Sequence, residues 1–396
     1  MPYHGGVLGF ELWSGVALFF SALLLVGTFR LALTQRPQAR PTLFPAIAIL
    51  RPCAGSEPEL LQNLASALTV PYPGKRRVLL LCPGTTDPAY PVLERVVREA
   101  PPHVPVEILL TRPEMRHNRK VAQLCAGLAH CTEPVVVCAD SDVRLLGDDL
   151  TALVSRLCAP PTSACTRGQV GAVFASPVEQ TPRTPWDRAS SALVGGSTQN
   201  FMALYGLYRV IGGVPSMAGA LLGFSREALC TIGGFSSVAA ILGEDYELSR
   251  RLCHAGYSVE MSSRPAHCSD GDRSARAVIA RVSRWLTVVR AQRPGLLFCY
   301  PIFMAATPPL LLALLWFRTP LLAALTGGVW VLRTILSWFL RRTQGIAQSL
   351  WVSALEVLGA EALLWAGLAL ALWTRQVTWR GYRFRVVRGG QMVSEP

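Results

Sequence analysis

Apolar positions change their rhythm three times along the chain. An uncharged run from Leu12 to Phe29 is long enough to reach across a bilayer, and Arg30, Arg36 and Arg40 follow it. Positive charge after the run, with none before it, predicts an uncleaved signal anchor that leaves the next domain on the cytosolic side. Pro37 to Pro45 reads as a linker. Short apolar runs then alternate with amphipathic ones. Ala46–Leu50, Arg77–Cys82, Val106–Leu110 and Pro134–Cys138 are predicted strands. Between them, 51–64 is a predicted turn and helix with Ser56 as cap and Pro58 in its first turn, and Ala89–Glu99 and Lys120–Ala129 are predicted helices. Such alternation predicts an α/β, doubly wound, mostly parallel sheet that binds its ligand beyond the carboxyl ends of the strands. The stretch from Thr162 to Gly234 is richer in Gly and Ser and has no clear period. Phe201–Val210 within it fits either a membrane-surface helix or a core helix.

The last third is apolar again. Pro294–Phe317 is uncharged, Pro320–Leu340 carries Arg333, and Ser349–Trp373 carries Glu356 and Glu361. A tail with Arg375, Arg380, Arg383, Arg385 and Arg388 belongs in the cytosol by the positive-inside rule. An even number of crossings must therefore separate domain and tail. The expectation is that 294–317 and 320–340 cross, while 349–373, with its two acids, enters the cytosolic leaflet and stays there. The predicted organisation is an anchor over 1–36, a cytosolic domain over 45–290, a membrane region over 294–373 and a basic tail over 374–396.

Composition fits this division. Residues are 51% hydrophobic and 16% charged, and 38 basic against 25 acidic residues give a net charge of +13. That balance suits an anionic membrane leaflet and an anionic substrate; no nucleic-acid-binding motif is present. The 11 cysteines show no Cys-x-x-Cys spacing, so they read as free thiols in a reducing compartment rather than as a disulfide or zinc framework.

Three clusters carry candidate chemistry. Gly243-Glu-Asp-Tyr246 places Glu244 and Asp245 in the first turn of a helix whose buried face is Leu248 and Leu252 and which Gly256 stops. Asp140-Ser-Asp142 leaves a predicted strand, so its two carboxylates can turn to one hard cation. Arg281 and Arg284 share a helical face beside Trp285, and arginine pairs well with phosphate oxygens. Each has a plainer reading: acids that complement a helix dipole, a common loop dipeptide, a basic helix meeting lipid headgroups. Together they are the parts needed to handle a diphosphate.

In order, Asp87-Pro-Ala89, Asn118-Arg-Lys-Val121, Ala139-Asp-Ser-Asp142, Ile232-Gly-Gly-Phe235, Gly243-Glu-Asp-Tyr246 and Arg281-Val-Ser-Arg284-Trp285 resemble the ceramide glucosyltransferase family. The likeness starts at Arg51-Pro52 with Gly55, Pro58 and Asn63-Leu64, and it runs into the tail at Trp379-Arg380, Arg383, Arg385 and Gly389-Gly390. It implies a membrane-bound inverting glycosyltransferase with a glycosyltransferase A fold flanked by N-terminal and C-terminal transmembrane helices. It further implies that Asp87 lies near the nucleotide base and that Asn118, Lys120 and Asp140 bind the nucleotide-sugar. Asp140 and Asp142 would hold Mg²⁺ or Mn²⁺, and Asp245 would be the general base. Arg281, Arg284 and Trp285 would serve the diphosphate and the acceptor. Two positions depart from the eukaryotic members: Thr198 stands where they have histidine, and Asp142 where they have glycine. Bacterial hopanoid glycosyltransferases share the Asn-Arg-Lys-Val and Asp-Ser-Asp elements.

The resulting expectation is transfer of a hexose, glucose or a relative, from a UDP-sugar to the hydroxyl of a membrane lipid such as ceramide, giving a β-glycoside. The enzyme would be multi-pass, with its catalytic domain in the cytosol, in a bacterial inner membrane. The rivals are a hopanoid or other lipid N-acetylglucosaminyltransferase, a processive polysaccharide synthase, and a non-catalytic protein that binds anionic lipid through its tail.

Overall fold

The computed structural model describes residues 2–34, 41–111, 118–161, 166–179, 182–208, 213–269, 273–374, 376–379 and 382–394. Arg36, Arg40, Arg375 and Arg380, which entered the charge argument above, lie outside these residues, as do Arg209 and Val210. The chain forms two compact units. One is built on sheets from 35–181, 207–270 and 378–396; the other is helical, from 1–34, 182–206 and 271–377.

Among the described residues thirteen strands are present: β1 (Ile47–Pro52), β2 (Arg76–Cys82), β3 (Val106–Leu110), β4 (Val135–Ala139), β5 (Val143–Arg144), β6 (Val170–Ala175), β7 (Pro177–Glu179), β8 (Leu221–Ser225), β9 (Ser258–Met261), β10 (Ala266–Cys268), β11 (Gln376–Trp379), β12 (Tyr382–Val386) and β13 (Met392–Ser394). The main sheet runs β3-β2-β1-β4-β8-β6-β9. Its β1, β2, β3 and β4 are parallel neighbours, as the alternation predicted, and β1 and β4 are buried along their whole length. Strands covered on both faces need no polar alternation, which is why they read as continuous Ile, Leu and Val runs. β8 enters antiparallel between β4 and β6 and makes the sheet mixed. A small sheet β5-β10-β7 and a tail sheet β11-β12-β13 complete the set.

One local expectation needs correction. The first helix of the sheet unit is Leu60–Thr69, and its N-cap is Glu59, at φ 58 with no side-chain cap bond. Ser56 and Pro58 therefore belong to the preceding turn. The helices Tyr90–Arg98 and Arg119–His130 lie where they were predicted.

In the helical unit, Gly6–Leu33, Pro320–Thr343 and Leu350–Trp373 are long and apolar enough to cross a membrane. Pro294–Phe317 is not one helix. It breaks at Ala305-Ala306 into Pro294–Met304 and Thr307–Phe317, with prolines in the first turn of the second piece. The acids of Leu350–Trp373 are paired inside the unit. Glu361 accepts hydrogen bonds from the backbone N–H of Thr307 (2.7 Å) and from Arg333 Nη1 (2.7 Å), so it caps the second half-helix and neutralises a buried arginine. Glu356 accepts from Arg341 Nε (3.2 Å) and Gln348 Nε2 (2.8 Å). Partnered charges are tolerated at such depth. The ten cysteines among the described residues are all free thiols.

Candidate active site

The acid-bearing strand ends gather on one side of the main sheet. β4 ends at Ala139, and the backbone N–H of Asp140 turns to the carbonyl of Ala220 (2.9 Å), just before β8. This brings the D-x-D turn to the loop at Gly219. Below it lies Arg51 of β1, fully buried, with Nη2 donating to the Val143 carbonyl (2.8 Å). Its charge faces Asp142, Asp140 and Glu57, while burial lowers its pKa. Ser141 Oγ bonds to Glu57, and the Asp142 carbonyl accepts from the N–H of Ser269 (2.7 Å), so backbone on both sides of the turn is fixed.

Lys120 sits in the first turn of Arg119–His130, a helix that Asn118 caps by accepting from the Val121 N–H (3.2 Å). The ammonium lies 2.7 Å from Asp140 Oδ1, 3.4 Å from Glu244 Oε1 and 3.2 Å from the Gly219 carbonyl. Asn118 is 1% exposed and also donates through Nδ2 to the Ile241 carbonyl (2.9 Å) and to Glu244 Oε2 (3.3 Å). One helix start thus holds the acid helix Glu244–His254 in place. On that helix Leu248 and Leu252 are buried, as the spacing predicted.

Asp245 Oδ1 accepts from the Tyr246 N–H (2.8 Å), and a Cβ on Gly219 would stand 3.2 Å from Asp245 Oδ2 and 3.3 Å from Lys120 Nζ. A side chain at 219 would therefore press on both charged groups, by close approach rather than by a turn. Burial pushes the Asp245 carboxyl up to about 7, Glu244 adds to the rise, and Lys120 opposes it. Burial likewise raises Asp140 against the pull of Lys120.

Asp87 stands apart from that cluster. Its Oδ1 accepts from the N–H groups of Gly55 (2.7 Å) and Ala89 (2.9 Å), and Gly55, at φ +73, supplies the left-handed turn that aims its N–H there. Arg281, Arg284 and Trp285 lie on Ala275–Gln292 of the helical unit, where the Arg281 guanidinium stacks on Trp285, 4.9 Å from the ring centroid. The reading of the sequence paired Glu244 with Asp245 but gave no site role to Gly219, Arg51 or Glu57. Glu244 was visible in Gly-Glu-Asp-Tyr; Gly219 meets Lys120 across 99 positions, and nothing local marks it.

A divalent ion fits the residues present in a limited way. Among the described residues no group of three His, Cys, Asp or Glu side chains could hold a metal. Two carboxylates of one turn can serve an ion that completes its shell with phosphate oxygens and water, which is the habit of Mg²⁺ at nucleotide sites.

The profile of glycosyl transferase family 21 matches residues 15–392. The ceramide glucosyltransferase of Pyricularia oryzae is 25% identical over 483 aligned positions that cover 100% of this chain and 95% of that protein. Ceramide glucosyltransferase 3 of Caenorhabditis elegans is 23% identical over 265 residues, 65% of this chain. The chain spans about half the length of the nematode relatives it matches, 53% and 57%. Among solved structures, the mannosyltransferase PcManGT from Pyrobaculum calidifontis, in complex with GDP-Man and Mn²⁺, superposes with a TM-score of 0.49 at 19% identity, over 91% of this chain and 99% of that one. The match over nearly the whole chain settles the assignment: this protein belongs to glycosyl transferase family 21.

Proposed function

We propose that the protein transfers a hexose, glucose or a near relative, from a UDP-sugar to the hydroxyl of a membrane lipid of the ceramide or hopanoid kind, with inversion to a β-glycoside. The observation that carries the reading is the Lys120–Asp140–Glu244–Asp245 cluster, where one carboxyl is held near neutrality beside a fixed ammonium. A general base works best when its pKa lies near the operating pH, and Asp245 meets that condition. Asp245 takes the acceptor proton as the lipid oxygen bonds to C1 of the sugar; the bond from C1 to the diphosphate oxygen breaks, and UDP leaves with that electron pair. Attack opposite the leaving group accounts for the inversion.

Asp140 and Asp142 would hold Mg²⁺ or Mn²⁺, which when bound neutralises the diphosphate. Lys120 holds Asp140 in position, and Asn118 fixes Lys120 and Glu244 together. Asp87 would meet the nucleotide base, and Arg281, Arg284 and Trp285 would serve the diphosphate and the acceptor. The protein would be multi-pass with its sheet unit in the cytosol.

Transfer of label from UDP-[¹⁴C]glucose and UDP-[¹⁴C]N-acetylglucosamine to extracted membrane lipid by the purified protein tests the reading. One lipid-soluble product, released by β- but not α-glycosidase, is expected. Labelled polymer would favour a processive synthase instead, and no transfer to any lipid would remove the proposal.

A further inference from the structure

The basic tail does more than end the chain: its last strand closes on the loop that carries the acids. The N–H of Met392 donates to the Ala240 carbonyl (2.8 Å), the N–H of Leu242 donates to the Gly390 carbonyl (3.0 Å), and Ile241 bridges Gln391 antiparallel. From its other side the same loop is held by Asn118, whose N–H donates to the Ala239 carbonyl (2.8 Å) and whose side chain donates to Ile241. The loop Ala239–Gly243 is thus gripped between the start of the Lys120 helix and the tail.

That grip matters because the loop leads straight into the acid helix, whose first residue is Glu244. Gly243 stands at its N-cap with no side-chain cap bond, and the Glu247 N–H donates to the Gly243 carbonyl (3.2 Å), so the loop backbone runs directly into the turn that Asn118 and Lys120 hold at Glu244. The tail in turn is firmly built. Phe384, Val386 and Met392 are buried, and Gly389 and Gly390, at φ +82 and +81, form the tight turn closed by Gly390 N–H on the Val387 carbonyl (3.0 Å).

We propose that β13 is a positioning strand for Asp245, acting through the backbone groups of Met392 and Gly390 on the loop Ala239–Gly243. The inference rests on the reading of Asp245 as the base. It separates from a general packing role because it depends on backbone hydrogen bonds and not on a side chain. The Met392 N–H faces the loop, whereas the hairpin is closed by the Val387 N–H on the Gln391 carbonyl (3.0 Å), so removing the former leaves the latter.

Met392→Pro deletes that donor, and Met392→Ala keeps it while removing the side chain. In the full-length protein, Met392→Pro is expected to lower kcat about tenfold or more, leave the Kd for UDP within about twofold, and speed amide hydrogen exchange over 240–246 at least about tenfold. Met392→Ala should keep kcat within about threefold of wild type. Wild-type kcat and exchange in Met392→Pro, or an equal loss of kcat in Met392→Ala, overturns the proposal. Should Met392→Pro fail to fold, the wild type decides: the Leu242 and Met392 amides must both be protected, by about a hundredfold or more, and exchange together. Rapid exchange of either refutes the clamp. If Asp245→Asn keeps its turnover while the two amides stay linked, the base assignment has failed and the clamp has not.

Discussion

The Lys120 ammonium bonds Asp140 Oδ1 at 2.7 Å while standing 3.4 Å from Glu244, so a single helix residue links the D-x-D turn to the acid helix. Asp140, Asp142, Glu244 and Asp245 otherwise repel one another. Lys120→Met should raise the pKa of both Asp140 and Asp245, because Lys120 is the charge that opposes burial at each. The acid limb of the rate profile should move to higher pH, and kcat/KM at pH 7 should fall by about tenfold to a hundredfold. A limb that stays in place would deny Lys120 this electrostatic role.

Asp245 gives the sharper pH prediction. A base pushed up to about 7 is deprotonated above that value, so kcat/KM should be full on the alkaline side and fall as pH drops through about 7. Glu244 is the second cause of the rise, after burial. Glu244→Gln should therefore shift the limb to lower pH, opposite in sign to Lys120→Met. Asp245→Asn should cost about a hundredfold to ten-thousandfold in kcat with UDP binding retained, measured by calorimetry. Near-normal turnover in Asp245→Asn would remove it as the base.

The metal prediction concerns the D-x-D turn. Asp140→Ala should weaken UDP-sugar binding by at least about tenfold, and added Mn²⁺ should not restore it, because the ligand itself is missing. EDTA should abolish wild-type transfer, with Mg²⁺ or Mn²⁺ restoring it. An EDTA-resistant rate would show that the pair serves another purpose.

How much of this was legible in the sequence depends on how far apart the partners lie. β1 and β4 announced themselves because strands covered on both faces are unbroken apolar runs, and β2 and β3 because their apolar stretches are flanked by turn residues. β8 did not, since Gly223 interrupts its run where the Leu153 side chain packs against it. Asp140, Asn118, Lys120 and Asp245 were each named from motifs, yet their meeting is decided by pairings across the chain, Lys120 with Gly219 and Asn118 with Ile241. Glu356 and Glu361 looked too polar for a membrane helix until Arg341 and Arg333 were seen beside them. The break at Ala305-Ala306 was hidden because a run of uniform hydropathy carries no record of where its hydrogen bonds stop.

Gly219 offers a test of how tightly the site is built. An alanine methyl there would stand 3.2 Å from Asp245 Oδ2 and 3.3 Å from Lys120 Nζ, so one or both must move by a few tenths of an ångström. Displacement on that scale should cost about tenfold in kcat with little change in melting temperature. If Gly219→Ala turns over like the wild type, the pair is looser than its packing indicates.

The last prediction concerns the membrane. Pro2–Thr34 and Pro320–Thr343 run side by side in the same direction. Thr319 Oγ1 donates to Glu11 (2.8 Å), Leu18 abuts Gly328, Leu24 packs with Leu336 and Leu340, and Phe29 meets Phe339 at 5.9 Å. If the first helix ends in the cytosol, the second ends there too, at Arg341-Arg342, in accord with the positive-inside rule. Phe317 packs against Phe10, near the opposite end of the first helix, so on that premise the two half-helices of Pro294–Phe317 would together make the outward passage. Leu350–Trp373 then begins on the cytosolic side, and the tail that follows it is bonded to the loop before Asp245. On the same premise this helix would start and finish on one side and so would not cross, although its length would allow it. We expect it to lie obliquely in the cytosolic leaflet. With native thiols replaced, a cysteine at position 318 should react with an impermeant reagent from outside intact cells, while cysteines at 345 and 378 stay protected. Outside labelling at 345 or 378, or protection at 318, would sink this arrangement.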